Sequence, residues 1–212
     1  MHEAQARVQS ASRGCRVKKL LLVTSLMLLN VVWCDKQPHQ SYKPPSPAAS
    51  NTRTYSNATY GFTFDYPTSM ELVTPTYGNL KDEVVQVQIP KEAYTGTNFD
   101  DAAISVSAQS AKSLDDCLAL TPPEGSDGFK TKAIIHGVDF YVTKSSDAGA
   151  GNFYESKVYR TVKSKGGTCI EISETIHTSN IDNYTPGTVT EVNQSDVQAK
   201  LDPIVQSFKF KL

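Results

Sequence analysis

From Tyr55 onward, apolar and polar residues alternate in repeated short runs, which is the pattern of half-buried β-strands. In the first run, aromatic side chains occupy every second position before Pro67 ends it. The runs predict strands at residues 61–67, 85–89, 104–108, 133–143, 153–163 and 168–178, with an interruption of the fourth at 137–139. The domain is therefore expected to consist mainly of strands.

A first short helix is predicted directly before Pro122-Pro123. Ser113 and Asp116 have the spacing of a capping box, in which the two residues satisfy each other's backbone N–H groups at the start of a helix. Because proline does not continue a helix, we expect this one to end near Leu120.

A second helix is predicted near the C-terminus, where Ser195 and Gln198 have a similar spacing. Its apolar residues fall on one stripe, the pattern of a helix packed against a core. They are Val197, Leu201, Ile204, Val205 and Phe208. Pro203 lies inside this segment, so we expect a kink or a restart there, with Asp202 as a second N-cap.

The two long strands on either side of Lys165-Gly166 can be aligned, because a two-residue connection fixes the register of a hairpin. Closing the turn there places Arg160 opposite Glu171 and Lys157 opposite Glu174. Each opposite-charge pair stabilises a sheet by roughly 0.2–1 kcal/mol. A slip by one residue would lose both pairs, so we predict this register.

In this register both faces of the hairpin carry apolar side chains. One face carries Tyr159, Ile170, Ile172 and Ile176, and the other carries Tyr154, Val158, Val162 and Cys169. Glu174 shares the first face and needs Lys157 or water beside it. Because apolar sheet faces must be covered, we expect an α+β fold in which an antiparallel sheet is flanked by helices on both faces.

The N-terminus has the charge and hydropathy pattern of a secretory signal peptide. Five basic residues and one acidic residue precede Leu20, and residues 20–32 carry no charge. This run is shorter than the roughly 20 apolar residues of a spanning helix. Residues 1–33 are therefore predicted to be a signal peptide. Val17-Lys18-Lys19-Leu20 has the form of a typical leader start, which favours an over-extended N-terminus for residues 1–16.

Val31-Val32-Trp33-Cys34 follows the apolar run and resembles the lipobox of bacterial lipoproteins. In that pattern the leader is cut before the cysteine, which is then acylated. Cys34 is therefore predicted to be the mature N-terminus and to carry a lipid such as palmitate. Trp33 departs from the small residue that precedes the cysteine in the pattern. An ordinary secretory signal peptide and an uncleaved membrane anchor are the two alternatives.

Composition divides the rest of the chain into a linker and a domain. Residues 34–54 comprise Cys34 and a Pro- and Ser-rich stretch without periodicity, which predicts a flexible linker. Residues 55–212 form the predicted domain, and 39% hydrophobic residues in the chain suffice for a core. Lys and Arg total 21 against 22 Asp and Glu, which removes the electrostatic case for nucleic-acid binding.

Two thiols remain in the exported domain once Cys15 is lost with the leader and Cys34 is acylated. Because exported compartments are oxidising, we predict a disulfide between Cys117 and Cys169. The alternative is a pair of buried reduced cysteines that pack as small apolar residues. A metal site is disfavoured, because two cysteines without a nearby histidine supply half of a tetrahedral ligand set.

The remaining candidates for metal binding or catalysis have a simpler structural interpretation. His136 and His177 lie in predicted strands without a second His or Cys at ligand spacing, so no metal or cofactor is predicted. Asp100-Asp101 and Asp115-Asp116 are adjacent carboxylates, and helix capping explains the second pair. Gly149-Ala-Gly151 is predicted to be a turn. No nucleophile motif or phosphate-binding loop is present in the sequence.

Three features together resemble the PsbP-like domains found in many bacterial lipoproteins. They are the aromatic run at residues 60–67, a cysteine-bearing strand after an aromatic-rich one, and a closing helix that runs into residues 204–210. The resemblance covers most of residues 55–212. It implies an antiparallel sheet between helices and a binding or assembly role rather than an enzyme. The metal sites of photosynthetic members have no matching motif in this sequence.

The expected function is therefore that of a non-catalytic, membrane-anchored lipoprotein of the cell envelope. It would face the periplasm or the cell surface, contact the membrane through the lipid on Cys34, and bind a protein of the envelope. The alternative is an exported hydrolase or a small-ligand-binding protein whose site is dispersed along the sequence.

Overall fold

The computed structural model describes residues 51–163 and 167–211. The described chain is mainly β-structure, with two α-helices and two single-turn 3-10 helices at Lys91–Tyr94 and Ile181–Asn183. In chain order the elements are β1 Thr52–Asn57, β2 Phe62–Pro67, β3 Glu71–Val73, β4 Asp82–Ile89, β5 Phe99–Ser110, α1 Leu114–Ala119, β6 Thr131–Ile135, β7 Val138–Gly149, β8 Asn152–Lys163, β9 Thr168–Ser179, α2 Gln194–Ser207 and β10 Lys209–Phe210.

The strands form two antiparallel sheets. The larger has seven strands in the order β3-β4-β5-β9-β8-β7-β6, and the smaller has three in the order β1-β2-β10. β8 and β9 are neighbours in sequence and pair along twelve residues each. β5 pairs with the other side of β9, although α1, β6, β7 and β8 lie between these two strands in the chain. The antiparallel sheet that the sequence predicts is therefore present, with β9 near its centre.

The predicted register of the β8–β9 hairpin is confirmed. Arg160 lies opposite Glu171, and Lys157 lies opposite Glu174. Lys165-Gly166, the turn on which the prediction was based, lies outside the described residues. This one register both places the opposite charges across from each other and keeps the apolar side chains on the same faces of the sheet.

One face of the large sheet, which we call the apolar face, holds the main core. On β9 it carries Ile170, Ile172 and Ile176, all buried, and paired strands extend this surface. Helix α2 and the aromatic residues of β2 pack against it in a single cluster. The four buried residues of α2 are Val197, Leu201, Ile204 and Val205, the stripe predicted from sequence, and Phe208 follows as a buried C-cap.

The opposite face, which we call the polar face, has a different cover. On β5 and β9 it carries Ser105, Ser107, Ser173 and Thr175, all buried. Of the helices in the described residues, only the six-residue α1 packs on this side, beside the start of β9, and residues 74–81 cover part of the rest. The predicted helical layer on each face is therefore not confirmed, because buried hydroxyls can be satisfied by loop backbone and do not need an apolar helix.

Both helices begin at side-chain caps, although one of them does so earlier than predicted. Ser113 caps α1 as expected and accepts from the backbone N–H of Asp116. Helix α2 is capped by Asn193, whose side chain accepts from the N–H of Ser195, so Ser195 lies inside the first turn. The helix continues through Pro203 without a second start.

Several strand boundaries also differ from the prediction: β5 spans Phe99–Ser110 rather than 104–108, and β7 continues to Gly149 rather than ending at 143. Strand β1 begins at Thr52, three residues before the predicted domain start. Within the described part of the chain it pairs with β2 alone and is mostly exposed, so its sequence lacks a clear apolar alternation. His136, predicted to lie in a strand, occupies the β6–β7 turn with Gly137, both with positive φ. A two-residue turn of this kind requires that conformation. The predicted turn at Gly149-Ala-Gly151 is confirmed.

Candidate functional site

A row of hydroxyl groups crosses the polar face of the sheet. Ser145, Ser156 and Thr175 are directly paired across β7, β8 and β9, and paired residues point to the same side of a sheet. The hydroxyls of Ser156 and Thr175 lie 3.1 Å apart, and that of Ser173 lies 3.2 Å from Thr175. Ser156, Thr175 and Ser173 thus form one hydrogen-bonded cluster on β8 and β9, and Ser145 continues the row on β7.

Residues 74–81 close over part of this face through side chains that rise from the sheet. The side-chain oxygen of Gln86 accepts from the backbone N–H groups of Thr76 and Tyr77 at 2.8 and 3.2 Å. A carboxylate oxygen of Glu171 accepts from the backbone and side chain of Asn79 at 3.1 and 2.9 Å. The loop therefore takes its position from these buried polar groups, together with the apolar packing of Leu80 against the cysteines Cys117 and Cys169.

Arg160 and Glu171 form an ion pair that is fully buried under α1. The Nε and Nη2 atoms of Arg160 both lie 2.8 Å from one carboxylate oxygen of Glu171. The remaining donors reach the carbonyls of Leu120 and Thr121 at 2.9 and 2.7 Å, and the Phe129 ring lies 4.5 Å from the guanidinium carbon. The pair is therefore accompanied by the hydrogen bonds that a buried charge needs, and it holds the end of α1 to the sheet.

The structure joins Cys117 and Cys169 in a disulfide, as the sequence predicts. Their Cα atoms are 5.3 Å apart, which lies in the ordinary range for such bridges. Both cysteines are fully buried, in a small apolar cluster with Leu80 and Ala111. The bond fastens α1 to β9 next to the Arg160–Glu171 pair.

Two candidates considered separately in the sequence, Asp101 and His177, are paired across β5 and β9. Nδ1 of His177 lies 3.0 Å from a carboxylate oxygen of Asp101, and Nε2 lies 2.9 Å from the side-chain oxygen of Asn152. The other oxygen of Asp101 accepts from the hydroxyl of Tyr77 at 2.9 Å. The ring of Tyr154 stacks on His177 with centroids 4.4 Å apart. Asp101 thus fixes two aromatic side chains, one directly and one through His177.

The charges around this cluster reinforce its hydrogen bonds. Burial, together with the negative charge of Asp101, raises the pKa of Tyr77, so its hydroxyl remains a donor. Burial opposes ionisation of Asp100, but hydrogen bonds from Lys91 and Ser179 outweigh it and lower the pKa of that carboxyl. A bulge at Phe99–Asp101 brings both carboxylates near His177, which the sequence alone did not indicate.

A crevice of about 300 Å³ lies over the hydroxyl row, and we call it the polar crevice. Its lining includes Ser145, Ser156 and Thr175 from the row, together with Tyr77 and Tyr154. The two rings meet edge to face with centroids 6.5 Å apart. The exposed carboxylates of Asp147 and Glu124 also line it.

On the apolar face, Glu174 is buried between β9 and α2. Its carboxylate accepts from the side chain of Gln198 at 2.6 Å and from the Tyr159 hydroxyl at 3.3 Å, and it lies 3.7 Å from Nζ of Lys157. Burial raises the pKa of Glu174 to about 7, although Lys157 and Gln198 oppose the rise. Lys157, the partner that the sequence analysis expected beside Glu174, is therefore present.

The remaining predicted residues do not form a site in the described chain. Asp115 and Asp116 are exposed in the first turn of α1, where Ser113 is the cap. Cys34, the predicted lipidation site, lies outside the described residues. Within 51–163 and 167–211, no three His, Cys, Asp or Glu side chains are grouped to hold a metal ion. The helices in these same ranges are too short or too polar to cross a membrane.

No protein-family model matches this sequence, and no curated protein matches it significantly. Among solved structures, the chain is similar to PsbP (CyanoP) from Synechocystis sp. PCC 6803, with a TM-score of 0.47 and 15% identity over 82% of this chain and 99% of that one. It is also similar to LpqN, involved in cell envelope biogenesis of Mycobacterium tuberculosis, with a TM-score of 0.48 and 11% identity over 76% and 91% of the two chains.

A third similar structure is a protein from Bacteroides thetaiotaomicron VPI-5482, with a TM-score of 0.46 and 15% identity. The similarity covers 76% of this chain and 49% of that one, so this chain spans about half the length of that protein. A PsbP protein is thus among the solved structures that this chain resembles, in agreement with the family resemblance noted in its sequence.

Proposed function

We propose that the chain is an exported, lipid-anchored module of the bacterial envelope, which binds or assembles a partner without catalysis. The leader at 1–33 would direct export, acylated Cys34 would hold the protein at a membrane, and residues 35–54 would act as a stalk. The folded domain would then face the periplasm or the cell surface.

The observation that carries export is the disulfide between Cys117 and Cys169. Disulfides form and persist in oxidising compartments, whereas the cytosol keeps most thiols reduced. Both cysteines are buried at the junction of α1 and β9, so the bond is part of the fold rather than an exposed redox pair. This placement supports a domain that folds after transport out of the cytosol.

The geometry around His177 supports a binding role over hydrolysis. A general base must lie within hydrogen-bond reach of the proton that it removes. Nε2 of His177 faces the side-chain oxygen of Asn152, and Nδ1 faces Asp101. Among residues 51–163 and 167–211, neither ring nitrogen is hydrogen-bonded to a serine or threonine hydroxyl, and the ring of Tyr154 stacks on the histidine.

Metabolic labelling with a fatty acid tests the anchor. The full chain is expressed in a bacterium with labelled palmitate, beside the variants Cys34→Ser and Cys15→Ser. We expect label in the wild type and in Cys15→Ser but not in Cys34→Ser, because only Cys34 follows the apolar run. Equal label in all three chains would refute lipidation at Cys34.

Fractionation of the same cells separates the alternatives. An unlabelled wild-type chain that is released into the medium or periplasm would support simple secretion. An unlabelled chain that stays in the membrane with residues 1–33 attached would support an uncleaved anchor. A labelled chain that co-purifies from envelope extracts with a stable protein partner would support the assembly role.

A further inference from the structure

We infer that the polar crevice binds a neutral, polyhydroxylated ligand of about the size of one sugar ring. This inference rests on the proposed binding function and names the class of ligand. The crevice combines two features that a saccharide requires, a cluster of hydroxyl groups for its own hydroxyls and aromatic rings for its C–H groups.

The hydroxyl row has hydrogen-bonding capacity beyond its internal contacts. Each serine or threonine hydroxyl offers one donor and two acceptor lone pairs. Ser156, Thr175 and Ser173 are joined by two hydrogen bonds, which use two of their three protons. A third proton and further lone pairs are available to a ligand, and Ser145 extends the row along the floor of the crevice.

The aromatic part of the crevice is held in place before any ligand arrives. The Tyr77 hydroxyl is fixed by Asp101, and Tyr154 stacks on His177, whose ring is held by Asp101 and Asn152. Rings that are already ordered lose little conformational freedom on binding, which favours weak but specific contacts with small ligands. Asp101 and His177 are therefore positioning residues for this site.

Charge and size narrow the ligand class. The described residues that line the crevice include Asp147 and Glu124 but neither lysine nor arginine, which disfavours phosphates and other anions. Carboxylates accept hydrogen bonds from ligand hydroxyls. A volume of about 300 Å³ lies at the lower end of small-molecule sites, which suits a monosaccharide or one unit of a longer glycan.

Isothermal titration of the purified full chain tests the inference. The probes are glucose, galactose and N-acetylglucosamine, with inorganic phosphate as the anionic comparison, in a detergent without a sugar headgroup. We expect saturable binding of at least one saccharide at a single site and none of phosphate. No saturable saccharide binding, or binding of phosphate alone, would overturn the inference.

Adjacent serines on β7 provide a matched pair of variants. Ser145 lines the polar crevice, whereas Ser146 points to the opposite face of the sheet and does not line it. We expect Ser145→Ala to weaken saccharide binding by up to about tenfold, and Ser146→Ala to leave it unchanged. Equal effects of the two changes would place the ligand elsewhere and overturn the assignment.

A second variant tests the aromatic residues of the polar crevice and leaves its hydroxyl groups in place. Tyr154→Leu keeps an apolar side chain over His177 but loses the ring, so we expect a larger loss of affinity than for Ser145→Ala. Unchanged affinity would contradict the site. These titrations are independent of fatty-acid labelling: a labelled chain that binds no saccharide refutes this inference alone, and an unlabelled chain that binds one refutes only the anchor.

Discussion

The two faces of the seven-stranded sheet are buried by different physical means. On the apolar face, Ile172 and its neighbours pack against α2 and β2, and the free energy comes from removing apolar surface from water. On the polar face, Gln86, Arg160 and Glu171 are equally buried, and each is satisfied by hydrogen bonds to loop backbone or to one another. Apart from Glu174, the first face should tolerate volume-conserving apolar substitutions at modest cost, whereas the second depends on specific partners.

The largest effect is expected from breaking the buried ion pair of the polar face. Arg160→Ala leaves Glu171 buried without its countercharge and removes the donors to the carbonyls of Leu120 and Thr121. We expect the free energy of unfolding to fall by about 3–5 kcal/mol, measured by urea denaturation.

Two further variants control this measurement. Arg53→Ala removes an exposed arginine from β1 and should change stability by less than about 0.5 kcal/mol. The double variant Arg160→Met, Glu171→Leu removes both charges and should recover part of the loss. A double variant as unstable as Arg160→Ala would show that the lost carbonyl contacts, rather than the uncompensated charge, dominate.

The second largest loss of stability is expected from removing the disulfide that joins α1 to β9 on the polar face. The double variant Cys117→Ala, Cys169→Ala opens a loop between residues 52 positions apart. In the loop-entropy model this costs about 4 kcal/mol, which urea denaturation of the oxidised wild type and the variant would measure. Adding a reductant should lower the stability of the wild type and leave that of the variant unchanged. A variant within about 1 kcal/mol of the oxidised wild type would show that the bond adds little.

A third prediction concerns Glu174, the charged group within the apolar face. Its pKa of about 7 in the folded protein is higher than in the unfolded chain, so folding favours the protonated form. This contribution is complete below the unfolded pKa and is lost as pH rises through about 7. We expect unfolding free energy to fall by up to about 3 kcal/mol between mildly acidic and mildly alkaline pH.

Two glutamine variants isolate that dependence. Glu174→Gln removes the titrating group and should flatten the pH profile of stability, because the amide keeps its volume. Glu155→Gln changes an exposed carboxylate on the neighbouring strand β8 and should leave the profile unchanged. A profile that keeps its slope in Glu174→Gln would assign the dependence to another group.

The smallest change in stability is expected from substitutions at two serines of β5 that lie on the polar face. The hydroxyl of Ser105 is buried without a hydrogen-bond partner, whereas that of Ser107 lies 3.4 Å from Glu171. We expect Ser105→Ala to be neutral or stabilising by about 0.5 kcal/mol, and Ser107→Ala to destabilise by about 0.5–1.5 kcal/mol. Thermal unfolding of both variants would measure the difference. The reverse order would show that Ser105 is satisfied by bound water.

Local patterns predicted the apolar face and the β8–β9 hairpin well. The register with Arg160 opposite Glu171 followed from a short connection, because neighbouring strands in sequence have few alternative pairings. The stripe of α2 likewise followed from periodicity within one segment.

The polar crevice depends on contacts that no local pattern encodes. Asp101 and His177 are 76 residues apart and meet only because β5 pairs with β9 across a long excursion of the chain. Residues 76–79 have no periodicity, and their position depends on Gln86 and Glu171 beneath them. The sequence placed Gln86, Glu171 and His177 in predicted strands and left Asp101 outside them, and it did not show which strand lies beside which.

The order of strand lengths across the large sheet has a consequence for solubility. The four twelve-residue strands β5, β7, β8 and β9 all lie inside the sheet, whereas the edge strands β3 and β6 have three and five residues. A long bare edge is a template on which a second copy can add its own strand, and short edges limit that addition. Beyond these short edges, a second copy would find strand backbone to pair with at residues 143–149 of β7, past the end of β6, and at the exposed strand β1 of the small sheet.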